Sequence, residues 1–343
     1  MITATIPVQM PTIETDSSTR EQNITSAAHS GGFAHAVRVV VAAGLTALLL
    51  WQSDPKAVWQ AARNADWRFI VLACVLVAID RVLMAYRWWT LLAPLDGPGR
   101  RPPLGTVMRI FFVSTFVGTF LPASVGGDAV RAYGLSKEGV QGVAAVASVL
   151  MDRLLGVISI LIVAIAGAIL ARDLIDIRAL FPALALLMVL CAVALTVVFS
   201  PRAAIAVARL LAFLPRGRDT GTRLVTAIQR YATLHLPMAN VLLCSIAVQV
   251  LRVLQTYCLG LALGLAVPLG VYFALVPIIL LIVLMPITIN GIGTTQAGFM
   301  WLFGRAGVAS APAFALSVLF LAIAVVGNLP GGLLYLFGGK RAS

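Results

Sequence analysis

Long apolar stretches dominate this chain, and their length limits the folds that it can adopt. Several reach the roughly 20 apolar residues that a helix needs to cross a lipid bilayer. Of the 343 residues, 60% are hydrophobic and only 11% are charged, and the mean hydropathy is +0.99. Since backbone polar groups inside a bilayer must be satisfied within the protein, apolar runs of this length favour membrane-spanning helices. The sequence therefore predicts an all-α polytopic membrane protein.

The apolar pattern predicts six full transmembrane spans. They lie at about Val37–Trp51, Phe69–Leu92, Val143–Leu170, Leu180–Phe199, Met238–Leu263 and Ala311–Phe337. Residues 1–35 are rich in small and hydroxyl-bearing residues and lack the basic start and apolar run of a signal peptide. We therefore expect residues 1–35 to form a disordered cytoplasmic tail and residues 36–338 to form a single transmembrane domain.

Two further apolar segments are interrupted in the same way. The segment 106–135 breaks at Pro122, and the segment 268–305 breaks at Pro286. In each case glycines and polar residues follow the proline. Irregular backbone at membrane depth is tolerated where it is buried in protein or lines a cavity. Paired interruptions in corresponding halves of a chain are typical of transporter binding sites.

The distribution of Lys and Arg predicts how the chain is oriented. The loop 200–235 holds six arginines against one acidic residue, which favours a cytoplasmic position. If both termini are also cytoplasmic, the segment 106–135 must enter and leave the membrane on one side. Three full spans separate it from the segment 268–305, which then enters from the opposite face. The prediction is two re-entrant helical hairpins related as an inverted repeat; ordinary polar turns between short spans are the alternative.

The net charge of +12 resides largely in loops, as expected for a membrane protein, so we expect no nucleic-acid partner. The four cysteines lie in apolar runs without CxxC spacing or a neighbouring histidine, which predicts neither a disulfide framework nor a metal site. The histidines His29, His35 and His235 lie outside the predicted membrane site, and no catalytic motif is present. We expect no cofactor and no enzymatic activity.

Charged residues inside the apolar segments are the main candidates for a binding site, since each costs roughly 2.5–3.5 kcal/mol at the bilayer centre. These segments hold five arginines against two aspartates, and a guanidinium excess favours an anionic ligand such as a phosphate. Internal ion pairing and snorkelling are the alternative explanation. The candidate site residues are Asp128, Arg131, Asp152 and Arg153, then Arg87 and Arg252, with Gly126 and Gly127, and Asn290 and Thr294.

The candidates have different predicted roles. Asp128 and Arg131 follow the first break at i, i+3, a spacing at which they can pair across one helical turn. Gly126 and Gly127 precede a predicted helix whose free backbone N–H groups favour an anion. Asn290 and Thr294 are expected to line a polar path or to satisfy exposed backbone in the second hairpin.

Four motifs resemble the transmembrane flippase domain of lysylphosphatidylglycerol synthases and its stand-alone inner-membrane relatives. The likeness covers most of residues 37–337. The first motif is Arg87-Trp88-Trp89, and the second is the run from Phe120 to Arg131, which contains Pro122 and Gly126-Gly127-Asp128. The third is Asp152-Arg153-Leu154-Leu155-Gly156, and the fourth extends from Pro286 to Gln296. The chain departs from the family where Thr294-Thr295-Gln296 replaces an acidic residue after Gly293, and where Asp152 replaces a frequent Glu.

The resemblance implies lipid translocation between the leaflets of a bacterial inner membrane. The family's aminoacyl lipid is cationic, whereas the arginine excess favours an anionic phospholipid or a polyprenyl-phosphate lipid. The synthases' soluble aminoacyl-transferase domain is absent from these residues, so aminoacylation is not expected.

Two other functions remain open. One is a membrane-embedded lipid-modifying enzyme that uses Asp128 or Asp152 as a general base. The other is a non-transporting subunit that holds a separate lipid-modifying enzyme against the loop 200–235.

Overall fold

The fold is taken from a computed structural model. It describes residues 63–92, 102–120, 125–172, 181–200, 217–284 and 291–338, together with residues at 56, 59–60, 202–203 and 205–206. The predicted tail at 1–35, the predicted span Val37–Trp51 and the candidate residue Asn290 lie outside the described residues.

The described part of the chain is helical. The α-helices are α1 (Trp67–Leu92), α2 (Leu104–Phe120), α3 (Val125–Lys137), α4 (Gly142–Leu170), α5 (Phe181–Phe199), α6 (Gly217–Gln229), α7 (His235–Ala262), α8 (Leu269–Leu284), α9 (Thr294–Arg305) and α10 (Ser310–Gly338). A 3₁₀ helix at Arg230–Thr233 joins α6 to α7.

Four of these helices, α1, α4, α7 and α10, are long and apolar enough to cross a membrane. Their bounds agree closely with four of the six predicted spans. The helix α5 covers the predicted span Leu180–Phe199, and α2 and α8 are shorter apolar helices. The architecture is therefore that of a helical membrane protein.

Each interrupted segment forms two helices that pack against one another. In the first segment, α2 and α3 run antiparallel, because Gly118 contacts Gly127 near the break and Ile110 contacts Gly134 further away. In the second segment, Ile279 of α8 lies against Gly298 of α9. Both segments thus have the helix–break–helix form that the prolines predict.

Glycine conformation shapes the start of α9. Gly293 has a φ of 88°, in the left-handed region that favours glycine. Its backbone N–H donates to the Oε1 atom of Gln296 at 2.6 Å. A side-chain acceptor at the third helical position thereby satisfies one of the backbone donors at the helix start.

The chain contains two halves, α1–α4 and α7–α10, that pack reciprocally. The first helices of the two halves, α1 and α7, are in contact, whereas α2 contacts α10 and α8 contacts α4. The helices α1 and α7 are antiparallel, because Arg87 contacts Ser245 and Asp80 contacts Arg252. If each helix is replaced by its counterpart in the other half (α1 by α7, α2 by α8, α4 by α10, and the reverse), the same set of helix contacts results.

Glycines permit both of the reciprocal contacts. A Cβ atom on Gly331 of α10 would overlap the carbonyl group of Phe112 in α2. A Cβ atom on Gly167 of α4 would likewise overlap the carbonyl group of Phe273 in α8. Small residues at such crossings let helix backbones approach closely, which is how helices in membranes commonly pack.

Candidate functional site

A cavity of about 810 Å³ lies between the two halves and is lined by residues of α1, α2, α3, α4, α7, α8, α9 and α10. Its lining is largely apolar, but the charged side chains in it are mostly of one sign. They are Arg81, Arg87, Arg131, Arg153, Arg252 and Asp152. The cavity therefore brings together arginines from both halves of the chain.

Asp152 of α4 lies between two of these arginines. Its Oδ1 atom is 2.7 Å from the Nη2 atom of Arg87 and also accepts a hydrogen bond from the Nε atom of Arg87 at 2.9 Å. Its Oδ2 atom accepts from the Nη1 atom of Arg131 at 3.4 Å. All three residues are buried. We call this group the Asp152 triad.

Neighbouring side chains hold the arginines of the Asp152 triad in place. Arg87 donates from Nη1 to the Oγ atom of Ser245 on α7 at 3.1 Å. Arg131 donates from Nε to the Oγ atom of Ser114 on α2 at 3.3 Å, and its guanidinium carbon lies 4.3 Å from the ring centre of Phe111. The triad therefore connects α1, α3 and α4 to α2 and α7.

Asp128 forms a separate pair with Arg153 across the α3–α4 contact. The Nε atom of Arg153 donates to the Oδ2 atom of Asp128 at 2.7 Å. The predicted pair between Asp128 and Arg131 within α3 is therefore replaced by two pairs between helices. The reason is tertiary packing, because α4 presents Arg153 to Asp128 and Asp152 to Arg131.

A second group has the same composition as the first. The Oδ2 atom of Asp80 lies 3.0 Å from the Nη1 atom of Arg81, and its Oδ1 atom lies 3.4 Å from the Nε atom of Arg252 on α7. Arg252 also contacts the sulfur of Met84 at 3.1 Å. We call these residues, Asp80, Arg81 and Arg252, the Asp80 triad.

Sequence reasoning identified Arg252 but did not place Asp80 or Arg81 among the candidate site residues. A signal was present, because adjacent opposite charges inside an apolar span are costly and indicate a buried role. Asp80 and Arg87 are seven residues apart, which in an α-helix is two turns or about 10 Å. The two triads therefore lie at different levels along α1.

Of the two predicted glycines, Gly127 serves helix packing. The helix α3 begins at Val125, before Gly126 and Gly127 rather than after them. A Cβ atom on Gly127 would lie 3.1 Å from the carbonyl oxygen of Ser114, so glycine lets α3 approach α2 closely. The carboxylate of Asp128 occupies the first turn of α3, where a negative charge is favoured by the helix dipole.

In the second interrupted segment, the predicted residue Thr294 is buried and its hydroxyl donates to the carbonyl oxygen of Gly291 at 3.0 Å. This contact satisfies backbone, which is one of the two roles predicted for it. Among the described residues of this segment, its neighbour Thr295 lines the cavity with a polar side chain.

The charge of the two triads and the Asp128–Arg153 pair is unbalanced. Five arginines face three aspartates, so the described residues of the cluster carry two excess positive charges, one in each triad. Paired arginines account for part of the cluster, as the ion-pairing alternative proposes. The remaining excess makes the cavity favourable for an anion.

A protein-family model described as the lysylphosphatidylglycerol synthase TM region matches residues 35–331. The chain belongs to this family. The resemblance noted in the sequence motifs is therefore confirmed. No solved structure matches the chain.

Two archaeal proteins that are similar to this chain are described as UPF0104 membrane proteins. The relative from Pyrococcus horikoshii is 28% identical over 127 residues, which are 36% of this chain and 37% of the relative. The relative from Archaeoglobus fulgidus is 27% identical over 119 residues, which are 35% of each chain. The match thus spans about a third of each relative. Together with the four long apolar helices, the family match shows a multi-pass membrane protein.

Proposed function

We propose that this chain is a lipid flippase that moves a lipid with an anionic head group between the leaflets of the bacterial inner membrane. The observation that carries the proposal is the cavity of about 810 Å³ lined by five arginines. Arginine is suited to the phosphate of a lipid because its planar donors match phosphate oxygens and it remains charged.

The cavity provides the compensating positive charge that a charged head group does not find in the bilayer core. An isolated ionised group is strongly disfavoured in an apolar medium. The arginines neutralise the head group during the crossing, and the acyl chains remain in lipid. The surface of α1 offers apolar contact for such chains, because Val71, Val75, Ile79 and Val82 are exposed on it.

The reciprocal packing of the two halves supports alternating access as the mechanism. Antiparallel contact between α1 and α7 is the relationship expected of an inverted repeat. In that arrangement α2–α3 is a re-entrant hairpin from the cytoplasm, α8–α9 is a re-entrant hairpin from the opposite side, and six full spans complete the domain with both termini in the cytoplasm. Transporters of this layout expose a central site by moving one repeat against the other.

The geometry favours transport over the enzyme alternative. Asp128 and Asp152, the two candidate general bases, each lie 2.7 Å from an arginine nitrogen. A carboxylate held by guanidinium donors must break that contact before it can reach a proton of a substrate. The cargo classes that fit are anionic phospholipids and polyprenyl-phosphate lipids, and a separate lipid-modifying enzyme remains the partner of the subunit alternative.

The test is lipid translocation by the purified protein in vesicles. Vesicles contain a fluorescently labelled phosphatidylglycerol, and a membrane-impermeant reductant removes the fluorescence of the outer leaflet. We expect protein-containing vesicles to lose fluorescence from both leaflets, whereas protein-free vesicles lose only the outer fraction. Equal loss in the two preparations would contradict the proposal. Chemical turnover of the lipid in detergent would favour the enzyme alternative instead.

A further inference from the structure

Among the residues that the structure describes, four buried polar atoms of the cavity lining have no hydrogen-bond partner. They belong to helices α1, α7, α9 and α10, and are the Nε atom of Arg81, the Oε1 atom of Gln249, the Oγ1 atom of Thr295 and the Oδ1 atom of Asn328. Buried polar atoms in folded proteins are normally paired with protein or with bound molecules. These four atoms therefore leave hydrogen-bonding capacity for a molecule bound in the cavity.

The unpartnered atoms distinguish the two triads. In the Asp152 triad both carboxylate oxygens accept from arginines, and Arg87 and Arg131 each also donate to a serine. In the Asp80 triad, the Nε atom of Arg81 donates no hydrogen bond and the Oδ1 atom of Asp80 accepts none. The Asp80 triad therefore holds a buried guanidinium N–H that has no partner among the described residues.

The orientation of the two amides is set by their neighbours. The hydroxyl of Ser159 donates to the carbonyl of Gly156, so its oxygen must accept from the Nε2 atom of Gln249 at 3.3 Å. The hydroxyl of Thr119 donates to the carbonyl of Thr115, so it accepts from the Nδ2 atom of Asn328 at 2.9 Å. In both amides the nitrogen is occupied, and the oxygen is the atom that lacks a partner.

These acceptors line the same cavity as the two arginines of the Asp80 triad. Gln249 and Arg252 are three residues apart on α7, so their side chains lie on the same face. A Cβ atom on Gly327 would lie 3.5 Å from the Nε atom of Arg81, so α10, which also carries Asn328, packs against that guanidinium. The unpartnered donor and acceptors therefore belong to one cavity lining.

The amide acceptors require donors that a phosphate diester cannot supply, because an ionised diester only accepts hydrogen bonds. Hydroxyl groups or ammonium groups would supply them. A cavity lined by five arginines disfavours an ammonium group by charge repulsion. Hydroxyl groups satisfy both conditions.

We propose that the Asp80 triad, with Gln249, Thr295 and Asn328, forms a subsite for a lipid head group that carries a phosphodiester next to free hydroxyls, as in the phosphoglycerol and phosphosugar classes. Arg81 and Arg252 bind the phosphate, and the amide oxygens accept from the hydroxyls. The inference rests on the proposed function for its assignment to a lipid.

The test compares phosphatidylglycerol with phosphatidylmethanol of the same acyl chains, bound to the full chain in detergent and measured by native mass spectrometry. Both lipids carry one phosphodiester charge, and they differ in their hydroxyl groups. We expect the wild type to prefer phosphatidylglycerol by about fivefold, the equivalent of one net hydrogen bond of ~1 kcal/mol. Arg81→Gln should weaken the binding of both lipids.

Matched variants test the contribution of the two amide acceptors, Gln249 and Asn328. Gln249→Leu and Asn328→Leu, singly and together, should reduce the preference towards equal binding. Ser159→Ala removes the partner of the Gln249 amide nitrogen but leaves the acceptor oxygen, so it should retain the preference. Thermal unfolding of each variant establishes that it is folded, and Thr295→Val offers a further position if one leucine variant does not fold.

Three outcomes would overturn the inference. They are equal binding of the two lipids by the wild type, an unchanged preference in folded Gln249→Leu and Asn328→Leu variants, and displacement of phosphatidylglycerol by an equal concentration of free glycerol 3-phosphate. The last would assign the subsite to a soluble phosphate ester. If the vesicle assay shows no translocation but the wild type still prefers phosphatidylglycerol to phosphatidylmethanol, the flippase proposal is contradicted and the subsite proposal is not.

Discussion

Asp152 lies 2.7 Å from the guanidinium of Arg87, although the two residues are 65 positions apart in the chain. Both side chains are almost fully buried, and Arg131 of α3 contacts the other oxygen of the same carboxylate. The pair therefore joins α1 to α4, and Arg131 brings α3 into the same contact.

We expect Asp152→Ala to destabilise the protein by about 3–5 kcal/mol, because it leaves two arginines buried without their carboxylate. Thermal unfolding in detergent, followed by size-exclusion chromatography, measures the effect. Asp152→Glu keeps the charge and is the matched control, which should unfold near the wild-type temperature. An alanine variant as stable as the glutamate variant would show that the carboxylate does not hold α1 and α4 together.

Arg131→Ala should lower translocation of an anionic lipid by about tenfold or more while the protein stays folded. Asp152 keeps Arg87 as a partner in this variant, and one charge-assisted hydrogen bond to a head group is worth about 1.5–3 kcal/mol. The measurement is the initial rate in vesicles at equal protein content. Arg109→Ala is the control, because Arg109 is on the same interrupted segment but does not line the cavity. A wild-type rate for the Arg131 variant would contradict its role.

Gly331→Ala and Gly167→Ala should each destabilise the protein, because a Cβ atom at either position overlaps backbone of a packed helix. We expect losses of at least about 1–3 kcal/mol, the usual range for overpacking. Gly105→Ala is the matched control, since a Cβ atom there has no neighbour within 4 Å. If all three variants unfold at one temperature, the close crossings do not contribute to stability.

The inverted arrangement predicts that the turns after the two interrupted segments lie on opposite faces of the membrane. The native cysteines Cys74, Cys191, Cys244 and Cys258 are free, so they are first replaced by alanine. Arg305→Cys should then react with a membrane-impermeant maleimide in intact spheroplasts. Glu138→Cys should react only after the membrane is permeabilised. Labelling of both positions from the same side would contradict the inverted repeat.

The positions of the helices could be predicted from the sequence. Runs of apolar residues located α1, α4, α7 and α10, and the prolines located the two interruptions. Both signals are local, because length and hydropathy decide whether a helix can span a bilayer and proline removes a backbone donor. Proline alone does not decide an interruption, however, because Pro277 lies inside α8 and Pro330 lies inside α10.

The partners of the charged residues could not be predicted in the same way. The spacing of Asp128 and Arg131 predicted a pair within α3, whereas each residue pairs with α4 instead. Asp80 was visible as a charge in an apolar span, but its contact with Arg252 depends on how α1 and α7 are rotated against one another. That rotation is set by the packing of the whole bundle, which residue spacing along one helix does not specify.

The central claim is that the arginine-lined cavity moves an anionic head group across the membrane. The most direct measurement compares translocation of fluorescent phosphatidylglycerol with that of fluorescent phosphatidylcholine in otherwise identical vesicles containing the wild-type protein or the Arg81→Gln/Arg252→Gln variant. We predict faster translocation of phosphatidylglycerol by the wild type and loss of that difference in the variant. Equal rates for the two lipids in the wild type, or an unchanged difference in a folded variant, would contradict the account.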